Sequence, residues 1–184
     1  CEYCSRIAGV LAGLPSSCSG TYAILDEVTE ITGSANPDAD VDAGKLILIH
    51  DGAKAKIARG VNSLTTVTEE KGEKWKTIKL VEASDLLSYY CRATIEDSYI
   101  GKYPNTYDNK LLLVSAIESY LGYMEGDGML LPGSSSVDID VDSQAEYLQG
   151  KGVDTRSMTD QAIKEHYTDT WVFLAISCTR ADTM

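Results

Sequence analysis

The chain has 184 residues and a mass of 19.9 kDa, which is enough for one well-buried domain and little for two. Its net charge of −12 disfavours a nucleic-acid partner, because such a surface needs clustered Lys and Arg to neutralise phosphates. No apolar run approaches the roughly 20 residues that span a bilayer, and no signal peptide precedes Cys1, so we expect no membrane partner.

The first part of the chain predicts short elements. A helix rich in small residues ends at Pro15, and an apolar run closed by the turn Asp51-Gly52 is followed by alternating small and basic residues, which is typical of strands. The predicted elements are a helix over 2–14, an extended segment over 21–31, a helical turn over 40–43, and strands over 46–49 and 53–58, followed by a solvated loop over 69–74.

Two long amphipathic helices are predicted next. The first carries apolar residues at spacings of three and four: Leu80, Ala83, Leu87, Tyr90, Cys91 and Thr94. The second carries Tyr107, Leu111, Val114, Ile117, Leu121 and Met124 at the same period. Asn105 is placed to cap this second helix, and Gly126 and Gly128 are placed to stop it.

The last part of the chain predicts two strands and two short helices. Residues 137–142 alternate apolar residues with aspartates, which indicates a half-buried strand. Ser143 with Glu146, and Ser157 with Asp160, form capping boxes that begin two short helices, and residues 171–178 form the final strand. The whole pattern predicts an α+β fold, a single compact domain in which amphipathic helices flank a mixed β-sheet and a C-terminal strand forms an arm.

The cysteines do not indicate a metal site. Cys1 and Cys4 have the spacing of half a zinc site, but neither His50 nor His166 has a second ligand at the required distance in sequence. The chain has five cysteines, an odd number that cannot all pair within one chain, so we expect reduced thiols and synthesis in the cytoplasm.

Two further motifs lack residues that their chemistry requires. Asp138, Asp140 and Asp142 imitate a calcium loop, but Ser143 and Gln149 occupy the positions that require glycine and glutamate. Similarly, Gly101-Lys102 has Glu96 in place of the upstream glycine of a phosphate-binding loop and is followed by Tyr103 instead of Ser or Thr. We therefore expect no bound metal, no cofactor and no enzymatic activity.

Several long segments carry a family resemblance. IARGVNSLTT, WKTIKLVEASDLL, YIGKYPNTYDNK and IDVDSQAEYLQGKGVD resemble the tail sheath proteins of contractile bacteriophages and phage-like elements. The resemblance continues into both flanks through RIAGVLAGLP and VFLAISCTRADTM, so it covers essentially the whole chain in order.

The resemblance implies a structural role in a virion tail or phage-like particle made in the cytoplasm of a bacterial host. It implies homo-hexameric rings stacked helically around a tail tube protein, with baseplate and tail terminator proteins as further partners. It also implies that residues 1–184 are the conserved core of a longer subunit, and that residues 171–184 begin a C-terminal arm which pairs with sheets of neighbouring subunits. Family members typically continue past the last residues with an acidic stretch, so we expect an incomplete subunit.

Charged residues and the apolar residues of the final strand are the candidates for contacts between subunits. Eleven tyrosines are also many for one domain, and tyrosine is favoured at interfaces. The contact candidates are Arg59, Lys102, Trp171, Val172, Phe173, Leu174, Ala175 and Ile176. Arg59 fits a buried network as well as an ion pair between subunits.

Two rival hypotheses belong to other classes. One is a non-enzymatic adaptor that adds strands to partners without forming a tube. The other is a hydrolase that uses an unrecognised carboxylate pair or Cys4, which would require strongly shifted carboxyl pKa values or an electropositive setting for the thiol.

Overall fold

The computed structural model describes residues 3–69 and 71–183, so Cys1 of the predicted Cys-x-x-Cys pair lies outside the described residues. Residue contacts divide the chain into two compact units, Cys1–Asp85 with Arg180–Met184, and Leu86–Thr179. Helices and small separate sheets confirm the α+β class.

The first unit contains a three-stranded antiparallel sheet in the order β1-β3-β2. Its elements are α1 (Cys4–Gly13), β1 (Ile24–Leu25), α2 (Pro37–Asp42), β2 (Leu48–His50), β3 (Ala55–Ile57), a 3₁₀ helix (Glu73–Lys76) and the start of α3 (Ile78–Ser98). The carboxylate of Asp51 accepts hydrogen bonds from the N–H groups of Ala53 and Lys54, which turns β2 back onto β3 as predicted. Leu25, Ala55 and Ile57 are fully buried and form the core of this unit.

The strands form two small antiparallel sheets, and the predicted single mixed sheet is wrong for the described residues. Strands β2 and β3 of the first unit are joined by a tight turn at Asp51-Gly52, and such turns join only antiparallel strands.

The extended segment predicted over 21–31 is shorter in the structure, where the strand covers only Ile24–Leu25. Tyr22 adopts a left-handed conformation (φ 58°), and the N–H of Val28 donates to the carbonyl of Leu25, so turns limit the strand at both ends.

The second unit is built around a long helix. Its elements are the end of α3, then α4 (Tyr107–Gly126), β4 (Ser136–Ile139), α5 (Val141–Gly150), α6 (Asp160–Glu165) and β5 (Leu174–Ser177). The buried residues of α4 are Lys110, Leu113, Val114, Ile117, Leu121 and Met124, and the helix packs against β4. The predicted stripe is correct from Val114 to Met124, but Leu111 is exposed and Leu113 takes its place in the core.

The two short helices begin at residues other than the predicted caps. Asp140 caps α5 by accepting from the N–H of Ser143, so β4 ends at Ile139 and the helix begins earlier than a Ser143 cap requires. Thr159, rather than Ser157, caps α6. In both cases a residue able to cap lies within three positions of the predicted one, and side-chain chemistry alone does not rank them.

Candidate assembly surface

Strands β4 and β5 form a two-stranded antiparallel ribbon in the second unit. Ile139 pairs with Leu174 and Val137 pairs with Ile176. No third strand joins this ribbon among residues 3–69 and 71–183, so one edge of β5 is open. An open edge presents N–H and C=O groups to which another chain can pair.

The hydrogen-bond pattern shows which groups of β5 point to the open edge. The N–H of Asp140 donates to the carbonyl of Phe173 (3.0 Å), one position beyond the paired Ile139 and Leu174. Because hydrogen-bonded and non-hydrogen-bonded pairs alternate in an antiparallel ladder, the main-chain groups of Leu174 and Ile176 point away from β4. These two residues are therefore the ones at which a further strand would bond.

The side chains of the ribbon separate into two faces. Val137 and Ile139 are buried, and their partners Ile176 and Leu174 lie on the same face. Ile176 nevertheless remains 40% exposed. The described residues thus leave part of the apolar face of β5 uncovered.

A tight turn leads into β5. The N–H of Trp171 donates to the carbonyl of Thr168 (2.9 Å), and Asp169 takes a left-handed conformation (φ 51°), which aspartate tolerates better than most residues. The hydroxyl of Thr168 is buried and donates to the carbonyl of Trp171 (2.5 Å). The predicted strand 171–178 therefore begins only at Leu174, because this turn occupies the residues before it.

Asn105 holds this turn instead of capping α4. Thr106 is the cap, since its hydroxyl accepts from the N–H of Asn109. Asn105 Nδ2 donates to Thr168 Oγ1 (3.1 Å), to the carbonyl of Asp169 (2.9 Å) and to the carbonyl of Trp171 (2.8 Å). The predicted cap is wrong because the amide is committed to the chain that precedes β5.

A second polar contact joins α4 and α5 to the end of α6. Lys110 Nζ donates to Gln144 Oε1 (3.2 Å) and to the carbonyl of His166 (3.3 Å). Gln144 Nε2 donates to the carbonyls of Ile163, Lys164 and His166. Burial lowers the pKa of Lys110.

Aromatic rings cover the same segment. The ring centroids of Trp171 and Phe173 lie 6.4 Å apart in a stacked arrangement, and Tyr147 lies 5.5 Å from Phe173. The hydroxyl of Tyr147 donates to Asp169 Oδ2 (2.7 Å), and Lys151 pairs with the same carboxylate (3.2 Å). These two contacts, the hydrogen bond first, lower the pKa of Asp169.

The predicted contact residues fall in different places. Trp171, Val172, Ala175 and Ile176 are exposed, whereas Phe173 and Leu174 are half-buried. Lys102 is exposed in the turn after α3, where its Nζ donates to the carbonyl of Asp97.

Arg59 belongs to the first unit, where it is exposed. It lines a cavity of about 320 Å³. The other charged residues of this cavity are Asp42, Glu73, Lys74, Lys76 and Asp182. Lys76 pairs with Glu73 (2.8 Å). Positive and negative side chains are equally numerous around the cavity, so its charge does not select a partner.

The sequence pattern did not indicate five residues that hold the segment before β5. They are Lys110, Gln144, Tyr147, Thr168 and Asp169. One sequence signal for this contact was available. The segment YIGKYPNTYDNK contains both Asn105 and Lys110, and the apolar period of the helix does not account for its polar residues.

The three aspartates that imitate a calcium loop have other partners or lie on the surface. Asp138 pairs with Lys164, Asp140 caps α5, and Asp142 is exposed in the first turn of α5. Within residues 3–69 and 71–183, no group of three His, Cys, Asp or Glu side chains is arranged to hold a metal. No helix in the described ranges is long and apolar enough to cross a membrane.

Comparisons with known proteins identify the family. Residues 70–161 match the family model of the phage tail sheath C-terminal domain. The chain is 42% identical over its whole length to a tail sheath protein of Clostridium phage phiCD119 and covers 52% of that protein.

Two solved structures share the fold. A sheath tail protein from Desulfitobacterium hafniense gives a TM-score of 0.62 at 22% identity, over 73% of this chain and 33% of that one. A sheath tail protein from Listeria innocua gives 0.57 at 18% identity, over 75% and 35%.

Together, the fold and the sequence matches define a structural component of a bacteriophage tail. The chain belongs to the phage tail sheath protein family. It spans about half the length of the phiCD119 relative.

Proposed function

We propose that this chain is the conserved core of a contractile tail sheath subunit and that its role is structural, without enzymatic chemistry. In this proposal the complete subunit forms sixfold rings that stack helically around a tail tube, with baseplate and tail terminator proteins at the two ends. Contraction repacks largely rigid subunits from a metastable extended arrangement.

The open edge of β5, in a chain of this family, is the observation that supports this proposal most directly. Strand addition joins two chains through main-chain hydrogen bonds. Leu174 and Ile176 direct their main-chain groups to this edge. We propose that residues 171–184 begin the arm and that a strand of a neighbouring copy adds along β5.

Two substitutions at one position separate the main-chain and side-chain contributions. Ile176→Pro removes an N–H that points to the open edge and leaves the hydrogen bonds of β5 to β4 in place. Ile176→Val keeps both the N–H and a β-branched side chain. The full-length protein that contains this chain is expressed alone as wild type and as both variants, then compared by negative-stain microscopy and sedimentation.

We expect tubes from the wild type and from I176V, and dispersed particles from I176P at an unchanged thermal midpoint. Tubes from I176P as long as those of the wild type would exclude strand addition at β5. If the wild type remains dispersed at high concentration and varied salt, the adaptor hypothesis is favoured, since an adaptor also uses an open edge but does not self-assemble.

A further inference from the structure

We propose that Asn105, Lys110 and Gln144 form a carbonyl clamp, a set of positioning residues that fixes the strap (residues 163–171) and thereby the position of β5. The clamp itself is inferred from contacts within the second unit. Its role in assembly rests on the proposed function.

The clamp holds the strap by its main chain. Five carbonyl groups of the strap accept hydrogen bonds from the three clamp side chains. They belong to Ile163, Lys164, His166, Asp169 and Trp171. Because these five acceptors are main-chain oxygens, most contacts of the clamp do not depend on the side chains of the strap, and the bond from Asn105 to Thr168 Oγ1 is the exception. Tyr167, in the middle of the strap, points a side chain that is 65% exposed to the surface.

The orientation of the Asn105 amide follows from its partners. The carbonyls of Asp169 and Trp171 can only accept, so the Nδ2 group must face them. Asn105 Oδ1 is buried and has no hydrogen-bond partner in the part of the chain that the structure describes. Both donors of the amide are engaged by the strap, so Asn105 contributes to the clamp through its N–H groups.

Lysine is an unusual residue at a buried position, and Lys110 occupies one. Its side chain is buried, and its ammonium contacts two neutral oxygens, Gln144 Oε1 and the carbonyl of His166. Burying a charge beside neutral partners is costly in free energy. An ammonium offers three donors in one place, and here it joins α4, α5 and the strap at one point.

The clamp connects β5 to the core of the second unit. Asn105 and Lys110 lie at the start of α4, and the same helix buries Ile117, Leu121 and Met124. Asn105 holds Trp171, three residues before Leu174 begins β5. In the proposed function, an added strand would apply force to β5. The strap would transmit this force to α4, and β5 would stay paired with β4.

Asn105 and Asn109 provide a matched pair of variants. Both lie at the start of α4, and Asn→Asp changes the charge there in the direction that the helix dipole favours. Asn109 Nδ2 donates to the carbonyl of Pro104 (2.8 Å) and makes no hydrogen bond to residues 163–171, whereas Asn105 makes three. N105D therefore removes the donors that Asn105 contributes to the clamp, and N109D is the control.

The experiment measures hydrogen exchange and tube formation in the full-length protein. We expect N105D to accelerate exchange of amides in residues 172–178 by about tenfold. Exchange in residues 111–124 should stay unchanged, and N109D should match the wild type in both regions. N105D should also reduce the length or number of tubes.

Two results would overturn the clamp. These are equal exchange in N105D and N109D, and exchange in N105D that accelerates as much in 111–124 as in 172–178. N105D tubes that equal those of the wild type despite faster exchange would overturn its role in assembly. If N105D does not fold, Thr168→Val tests the same contact from the strap, because it removes the hydroxyl that lies between Asn105 and Trp171. A wild type that forms no tubes contradicts the proposed function, while the exchange data still decide the position of β5.

Discussion

Lys110 and Gln144 meet in the interior of the second unit, where Lys110 Nζ donates to Gln144 Oε1 at 3.2 Å and neither side chain is more than 2% exposed. Within residues 3–69 and 71–183, the ammonium forms no ion pair with a carboxylate, and its hydrogen bonds go to neutral oxygens. Gln144 in turn uses its Nε2 group on the strap, so one amide links a buried cation to three main-chain carbonyls. Loss of the contact between Lys110 and Gln144 should therefore change both the stability of the second unit and the position of β5.

Lys110→Met should destabilise the protein by about 1–2 kcal/mol at pH 7. Methionine fills a similar volume, but Gln144 Oε1 then lacks a donor, and an unsatisfied buried acceptor costs roughly this amount. Urea unfolding of K110M and of the surface control Lys102→Met measures the difference. A K110M variant as stable as the control would show that the cost of burying the charge offsets the hydrogen bonds of Lys110, and the predicted loss would be wrong.

The effect of K110M should depend on pH. Burial lowers the pKa of Lys110 below its ordinary value of 10.5, so the folded state releases this proton at a lower pH than the unfolded state. Between the two pKa values the unfolded state binds more protons, and stability rises with pH. The wild type should therefore gain stability relative to K110M as the pH approaches 10.5. A difference that is constant from pH 7 to 10 would refute the lowered pKa.

The long helices were predictable because their apolar residues repeat at the helical period, and α4 needed corrections only at its start, in its cap and in the first residue of its stripe. Lys110 was not predictable in this way, since lysine is rarely buried and periodicity assigns it to the surface. Asn105 was expected to cap the helix, because local sequence shows that an amide can cap but not that a distant turn at Thr168 engages it. The contacts of Asn105 and Lys110 join residues more than 30 positions apart, and those of Gln144 to the strap join residues 19 to 22 positions apart, so no local pattern contains them.

Thr159 and Ser157 test the corrected start of α6. Thr159→Ala should cost about 1 kcal/mol, because its hydroxyl accepts from the N–H of Ala162 at the first turn. Ser157→Ala should change the free energy of unfolding by less than about 0.5 kcal/mol, as expected of a substitution away from caps and core. Chemical denaturation of the two variants decides between the caps, and a larger loss in S157A would restore the predicted one.

Asp138 should make the attachment of β4 to α6 sensitive to acid. Its hydrogen-bonded pair with Lys164 is the main reason that the pKa of Asp138 lies below its ordinary value of 3.8. A lowered carboxyl pKa stabilises the fold above the unfolded-state pKa, and the contribution disappears as the pH falls through the folded-state pKa.

Asp138→Asn should therefore lower the thermal midpoint at pH 7 and have little effect below the folded-state pKa. Calorimetry at several pH values gives the comparison. Asp97→Asn provides the control, because Asp97 is an exposed carboxylate whose side chain forms no hydrogen bond or ion pair in the described ranges. An effect of D138N that is the same at all pH values, or equal to that of D97N, would count against the ion pair. Added salt should weaken the effect at pH 7, since the pair is partly exposed.

Arg180 should hold the end of the described chain on the first unit. Its Nη1 donates to Ser84 Oγ (2.8 Å) and to the carbonyl of Leu80 (3.3 Å), and its guanidinium lies 4.7 Å from the ring centroid of Trp75. Lysine keeps the charge but lacks the planar group that stacks on a ring and bonds at the same time. R180K should therefore release this contact almost as fully as R180A, with a loss of about 1–2 kcal/mol in either variant.

Trp75 provides the readout for Arg180. In a Trp171→Phe background Trp75 is the remaining tryptophan, so its emission reports the guanidinium contact alone. R180K and R180A should both shift this emission and accelerate hydrogen exchange in residues 180–183. Ser84→Ala should leave the emission unchanged, because it removes one hydrogen bond and keeps the stacking. Emission in R180K equal to that of the unsubstituted background would show that charge suffices, and that the stacked geometry does not hold this segment.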